Sequence, residues 1–158
     1  MPVALDDLDQ KILDLLLRDG RAPASQLADQ VGLSRQAVAE RIEKLERAGV
    51  VRGTTVVLDP ESLGRAVTAF IAARGPKLDA KATKHFRGLM ERDDVLEVHT
   101  VAGDDCYFIK VRTDSIPSLN VILNELSSAP LSLSTRTTIV METHCEKVGG
   151  IVLRAERR

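Results

Sequence analysis

The most constraining feature of the chain is the segment from Gln26 to Ile42, which predicts two short helices joined by a tight turn. Gly32 can adopt the positive φ that a sharp turn requires, and Ser34 is a good N-cap for the second helix. Apolar residues then recur at i, i+4 and i+7 and bury one side of that helix: Val38, Ile42 and Leu45. A glycine turn followed by a helix with a polar outer face is typical of a helix-turn-helix, whose second helix fits the DNA major groove. We therefore expect double-stranded DNA to be a partner.

The flanking residues predict a complete DNA-binding unit. An amphipathic helix precedes the motif, and we expect it to begin at Asp7 with a capping box to Gln10 and to end at Gly20 in the left-handed conformation. The next helix is expected to begin near Pro23.

We expect the recognition helix to run over 35–48 and to stop at Gly49. The β-branched segment Val50–Leu58 then predicts one or two short strands. This order indicates a winged-helix-like domain over residues 1–52, followed by a strand and linker segment over 53–64.

Side chains in the first turns of the recognition helix are the candidates for reading bases. Arg35 can pair with guanine, Gln36 with adenine, and Ala39 can meet a thymine methyl group. Further polar residues complete the predicted DNA-binding set, as the helix cap or as phosphate contacts: Ser34, Arg41, Lys44, Arg21 and Arg52. For Arg41 an intramolecular pair with nearby glutamates is an equal alternative.

The charge of the chain predicts weak electrostatic attraction to DNA. Its formal net charge is −1, with 22 Lys and Arg against 23 Asp and Glu. Over 34–53 basic residues exceed acidic residues by two, so we expect weak non-specific binding per subunit and several subunits on the DNA. The chain has no Trp and one Tyr, which disfavours stacking on single-stranded bases.

The second half of the chain has a different pattern. Strands are predicted over 65–74, 95–102, 106–112 and 133–143, and helices over 79–90 and 115–127. The order βαββαβ is that of a ferredoxin-like domain, which we place at 65–143 and which makes the fold class α+β. The tail 144–158 contains Ile151–Leu153, a candidate for an extra edge strand.

The predicted sheet has apolar residues on both faces. In its first strand Val67, Ala69 and Ile71 alternate with Phe70 and Ala72. Because both helices of such a fold lie on one face, the other face needs a cover. We infer a homodimer formed by sheet-on-sheet packing.

Other classes of protein find little support. Cys106 and Cys145 are too few for a disulfide framework, and no segment reaches the length of a membrane span, so we expect a cytoplasmic protein. His85, His99 and His144 lack metal-ligand spacing with the cysteines, and no nucleophile–base arrangement is evident. We expect neither an enzyme nor a metal or cofactor.

Several motifs together resemble the Lrp/AsnC family of transcription regulators. They include the segments 5–13, 19–21, 26–28, 32–34, 49–51, 101–105 and 136–140. The resemblance implies a dimer, or dimers assembled to an octamer, that regulates genes of amino-acid metabolism. It also implies that an amino-acid effector binds near the Gly103 turn, where subunits or dimers meet.

The residues that the resemblance places at the effector site are Val101, Ala102, Gly103, Asp104, Asp105, Cys106 and Thr138. Asp104 and Asp105 can bind an α-ammonium group, and Thr138 can donate to a carboxylate. Many family members carry Asp where this chain has Cys106, so the identity of the ligand does not carry over.

The predicted function is a sequence-specific transcription regulator that responds to an amino acid. Two alternatives stay open: an architectural protein that wraps DNA without an effector, and an enzyme or metabolite-binding module, since ferredoxin-like folds host both.

Overall fold

A computed structural model describes residues 3–146, and the chain forms two compact units. The first comprises the described residues up to Val57 together with Glu146, and the second comprises Leu58–Cys145. The boundary between the units falls within the predicted linker 53–64. The predicted edge strand at Ile151–Leu153 lies outside the described residues. Over 3–146, no helix is long and apolar enough to cross a membrane.

The first unit contains three helices, α1 (Asp7–Arg18), α2 (Ala24–Val31) and α3 (Arg35–Arg47), as the sequence predicted. Their apolar faces meet in a small core of four buried side chains: Ile12, Leu27, Ala28 and Val38. Gly32 ends α2 with φ 72°, which confirms the left-handed turn. This core fixes α3 on the unit with its polar side outward.

The helix α1 begins at Asp7 as predicted, but both of its predicted caps need correction. The capping box joins Asp6 to Asp9, because the Asp6 carboxylate accepts from the Asp9 N–H at 2.7 Å. It does not join Asp7 to Gln10, a pair with the same spacing. Gly20 does not have positive φ, and a Cβ atom there would lie 2.8 Å from Thr54 Cγ2, so close approach explains this glycine. Pro23 is the N-cap of α2 and precedes the first turn.

The strands predicted over Val50–Leu58 are absent from the described structure. The N–H groups of Val50 and Val51 donate to the Leu45 carbonyl, so the beginning of this segment folds back onto the end of α3. Val56, Val57 and Leu58 are exposed. A β-branched run forms a strand only beside a strand that can pair with it, and residues 3–146 supply none here. The winged-helix resemblance therefore extends to the three helices alone.

The second unit has the predicted βαββαβ order. Its elements are β1 (Val67–Arg74), α4 (Ala80–Met90), β2 (Val95–Thr100), β3 (Tyr107–Thr113), α5 (Ile116–Ser127) and β4 (Ser134–Ile139). The strands form one antiparallel sheet in the order β2-β3-β1-β4. This topology confirms the ferredoxin-like fold.

The core of the second unit lies between the helices and one face of the sheet. It is built from side chains of the sheet and of both helices, among them Ile71, Ile109, Phe86, Leu89, Ile122 and Leu126. Ile116 begins α5 and is 52% exposed, so it lies outside this core. The last strand ends at Ile139, four residues before its predicted end.

Over residues 3–146 no helix covers the opposite face of the sheet, which we call the open face. Phe70 and Phe108 are 44% and 41% exposed. The Lys110 ammonium lies 5.9 Å from the Phe70 ring centroid, and Lys110 also pairs with Glu97 at the side of this face. The open face is therefore a mixture of aromatic rings and charged groups.

Candidate nucleic-acid interface and effector loop

The recognition helix α3 begins as predicted. The Ser34 hydroxyl accepts a hydrogen bond from the Ala37 N–H at 3.1 Å, which satisfies one of the free donors of the first turn. Val38 and Leu45 are buried on the inner side. The opposite side of the helix is therefore free to enter a groove of DNA.

The three candidate base readers share that outer side. Arg35, Gln36 and Ala39 are all exposed. The Gln36 amide donates to Glu40 Oε1 at 3.0 Å, which orders its side chain along the helix. To contact a base, the Gln36 amide must therefore break its hydrogen bond with Glu40.

The candidate phosphate contacts differ in how free their side chains are. Arg21, Lys44 and Arg52 are exposed, and within residues 3–146 their side chains make no ion pair or hydrogen bond. They are available to an external anion.

Arg41 is different, and the structure corrects its predicted role as a phosphate contact. Its Nη1 donates to Asp9 Oδ1 at 2.6 Å and to Asp6 Oδ2 at 2.7 Å. The alternative of an intramolecular pair is confirmed, although the partners are aspartates of α1 and its cap instead of glutamates. Arg41 therefore joins the beginning of α1 to the recognition helix.

Arg41, Asp6 and Asp9 form a charged cluster in which the pKa values of Asp6 and Arg41 are shifted. The Asp9 N–H, followed by the Arg41 guanidinium, lowers the pKa of Asp6 from its ordinary value of 3.8. The same carboxylates raise the pKa of Arg41. Because the Asp6 pKa is lowered in the folded chain, its contribution to stability is complete above about pH 4 and is lost as the pH falls through the folded pKa.

Replacing Arg41 with Met should lower the Tm of the protein by roughly 5–10 °C, as measured by thermal unfolding at pH 7. The reason is that Asp9, whose side chain is 3% exposed, is left as an unpaired buried charge. A double variant, Arg41→Met with Asp9→Asn, is the control and should recover part of the loss. Equal Tm values for the two variants would contradict a charge-based role.

The loop between β2 and β3 is closed by main-chain bonds. The Val101 N–H donates to the Cys106 carbonyl at 3.0 Å, and the Cys106 N–H donates to the Ala73 carbonyl at 2.9 Å. Gly103 has φ 141°, a conformation that L side chains rarely adopt. The loop thus presents Ala102, Gly103 and Asp104 to solvent in a fixed shape.

The two acidic residues of the loop have different surroundings. Arg136 Nη2 donates to Asp105 Oδ2 at 2.9 Å, so a strand residue 31 positions away already neutralises this carboxylate. Asp104 is exposed and makes no ion pair within residues 3–146. Asp104 is therefore the carboxylate that is free for a ligand.

Of the remaining candidates for the effector site, Cys106 lies at the end of the loop, whereas Thr138 lies away from the loop on β4. The Cys106 thiol is 3.6 Å from the Gly75 carbonyl and is partly buried. Thr138 pairs with Phe70 on the open face and makes no hydrogen bond to the loop, whereas Arg136 does. Arg136 was not among the predicted site residues. Only its hydrogen bond to Asp105 indicates that it belongs to the effector site.

The histidines and cysteines do not form a metal centre within the described residues. Over 3–146 no three His, Cys, Asp or Glu side chains lie close enough together to hold a metal ion. His85 and His99 each lie beside a glutamate instead, at 3.3 and 3.2 Å.

Comparison with known protein families matches each unit separately. Residues 5–46 match the AsnC-type helix-turn-helix domain, and residues 68–149 match the Lrp/AsnC ligand binding domain. The protein is thus a transcription regulator that joins a DNA-binding unit to a ligand-binding domain.

Relatives of similar length extend the match over most of the chain. It is 35% identical over 149 residues to the HTH-type transcriptional regulator FL11 of Pyrococcus abyssi, covering 92% of this chain and 95% of that protein. The leucine response regulatory protein LrpA of Mycobacterium tuberculosis has a similar structure, with a TM-score of 0.77, 32% identity, and coverage of 90% and 97%. E. coli AsnC has a TM-score of 0.79, 30% identity, and coverage of 91% and 97%. The chain belongs to the Lrp/AsnC family of regulators.

Proposed function

We propose that α3 reads operator DNA and that an amino acid bound at the loop 101–106 controls the regulator. The observation that carries this proposal is the arrangement of charges at the loop. Asp104 carries an exposed carboxylate without an ion pair in the described structure, and its neighbour in the chain, Asp105, holds the exposed guanidinium of Arg136. These are the two charges that an α-ammonium and an α-carboxylate require.

The candidate DNA-binding residues of the first unit have different proposed roles. Arg35, Gln36 and Ala39 read base edges in the major groove. Arg21, Lys44 and Arg52 contact phosphates and set the position of the helix, while Ser34 fixes its first turn. Arg41 supports the helix from inside the unit.

On the effector side, the fixed main chain of Val101, Ala102 and Gly103 supports the ligand while Asp104 binds its ammonium. Cys106 lies at the inner end of the loop and leaves a smaller, less polar contact than the Asp of many family members. Thr138 lies on the open face and reaches an effector only if a second subunit brings the ligand there. The name of the leucine response regulatory protein supports an amino acid as the class of ligand.

We also propose that the open face of the sheet is covered by a second copy of the chain. Phe70 and Phe108 lie in the middle of that face, on the two central strands β1 and β3. Effector binding then acts by favouring one arrangement of subunits over another, which requires unequal affinity for the two. Assembly to an octamer stays a prediction that depends on the family resemblance.

The experiment that tests effector binding is a thermal shift with each common amino acid. An amino acid present at about 100 times its Kd should stabilise the protein by roughly 2.7 kcal/mol and raise the Tm by about 5–10 °C. Asp104→Asn should remove the shift, whereas the matched variant Glu91→Gln, at an exposed acid on the end of α4, should keep it.

Two results would contradict this proposal. A shift that Asp104→Asn leaves intact would place the ligand elsewhere. No shift with any amino acid would favour another metabolite, or the architectural protein that wraps DNA without an effector.

A further inference from the structure

The most basic helix of the described chain is α4, in the ligand-binding domain. Its sequence AKATKHFRGLM contains Lys81, Lys84 and Arg87 and no acidic residue, a formal charge of +3. The recognition helix α3 carries four basic and three acidic residues, a formal charge of +1. The charge best suited to DNA is therefore not on the helix that reads it.

These three cations lie on one exposed face and have no internal partner. Spacings of three residues place Lys81, Lys84 and Arg87 side by side along the helix surface. Within residues 3–146 none of them makes an ion pair or a side-chain hydrogen bond. Like charges at this spacing repel each other and destabilise a helix. An external anion bound to them would therefore stabilise α4.

Gly88 provides an independent observation on the same face. It lies in the last turns of α4, four residues after Lys84, where glycine is less favourable than alanine. A Cβ atom at Gly88 would meet nothing within 4 Å, and its φ is not positive. Neither packing against the described residues nor backbone conformation requires this glycine, but the close approach of a ligand would.

The surface beside Gly88 is a groove of about 430 Å³. It is lined by Lys81, Lys84, His85, Gly88, Glu125 and Pro130. The carboxylate of Glu125 forms an ion pair with Arg92 and also lies beside the His85 ring, each contact at 3.3 Å. The groove therefore presents a positive wall and no unpaired acid.

We propose that this face of α4 is a second DNA-contacting surface, which binds backbone phosphates of duplex DNA through Lys81 and Lys84, with Gly88 admitting the sugar–phosphate chain. Lysine binds phosphate as a point charge, and the lining of the groove includes no Phe, Tyr or Trp for stacking on bases. The contact is independent of sequence and adds to the base reading by α3.

The first test measures how DNA binding depends on salt. Wild-type protein and variants are titrated onto a 60-bp random-sequence duplex by fluorescence anisotropy at several NaCl concentrations. Each phosphate contact contributes about 0.9 to the slope of log K against log salt, so Lys81→Gln with Lys84→Gln should lower the slope by about 1.8 per chain. Lys81→Arg with Lys84→Arg should keep the wild-type slope.

The matched control is Lys11→Gln with Arg18→Gln, which removes the same charge from exposed positions of α1. Its slope should equal that of wild type. If the α4 and α1 variants have the same slope, the proposal is wrong, because a general charge effect then explains both.

The second test separates a ligand-binding role for Gly88 from a structural one. Gly88→Gln replaces glycine with a good helix former and should raise the Tm by about 2–4 °C. It should also weaken binding to the duplex at least tenfold at low salt, because the longer side chain blocks the groove. A variant that is more stable and binds DNA normally would overturn the proposal.

A footprint on the unmodified protein gives a third measurement. Amine acylation followed by mass spectrometry should show protection of Lys81 and Lys84 when the duplex is added, with Lys11 as an exposed reference. Protection that is already present without DNA would place α4 in a subunit contact and would overturn the proposal.

Discussion

The double variant Arg35→Ala with Gln36→Ala is expected to lose specific DNA binding while the fold and the assembly are kept. Both side chains are exposed at the beginning of α3 and contribute nothing to the core of the first unit. A good bidentate contact contributes about 1–3 kcal/mol of discrimination between bases, so losing two should lower specific affinity by roughly 30-fold to 10⁴-fold. The measurement uses an operator selected from random-sequence duplexes with the wild-type protein.

A matched control replaces one basic and one amide side chain on the other helices of that unit. Lys11 and Gln30 are exposed on α1 and α2, and Lys11→Ala with Gln30→Ala should bind the operator like wild type. Random-sequence DNA should still bind to the α3 variant, because phosphate contacts remain. Normal operator binding by the α3 variant would show that bases are read by other residues.

The double variant Phe70→Asp with Phe108→Asp is expected to convert the assembly to monomers at micromolar concentration. In a symmetric pair of sheets each ring is present twice, so the change removes four aromatic groups and adds four like charges. Central aromatic residues of an interface contribute about 2 kcal/mol or more each, which predicts an increase in the Kd of at least 100-fold. Sedimentation equilibrium measures the change directly.

The control for this prediction uses exposed apolar residues elsewhere in the same unit. Ile116 and Val121 lie on the outer side of α5 and are 52% and 55% exposed. Ile116→Asp with Val121→Asp should leave the assembly intact, and circular dichroism checks that both variants fold. A dimer that survives the sheet substitutions would mean that the subunits meet through another surface.

Local signals in the sequence predicted the elements of both units well. Ser34, Asp79 and Ser115 each cap a helix through a hydrogen bond from the main chain three residues on, and the cap at Ser34 was predicted by residue type and position. Period-two and period-3.6 patterns gave the βαββαβ order. These features depend on neighbours within a few residues, so one sequence contains enough information.

Features that depend on distant partners were missed or misplaced. Two overlapping pairs fitted the capping-box spacing at α1, and Arg41, 32 residues beyond Asp9, binds the pair that forms. Asp105 was taken as free for a ligand, but Arg136 holds it across 31 residues. The segment Val50–Leu58 has strand propensity, but the described part of the chain offers no strand that pairs with it. Ion pairs and strand pairs depend on which distant residues the fold brings together, and spacing along the sequence does not show this.

Each unit of this regulator closes a hydrophobic core of its own, one around Ile12, Leu27 and Val38 and the other between the sheet and its two helices. Among the residues that the structure describes, the two cores have no buried side chain in common, so a substitution that reshapes the loop 101–106 is not expected to disturb the packing beneath α3. Ligand choice and operator choice can therefore diverge separately during evolution. A lineage can acquire a new signal for its existing set of genes, or a new set of genes for its existing signal, by changing one half of the chain at a time.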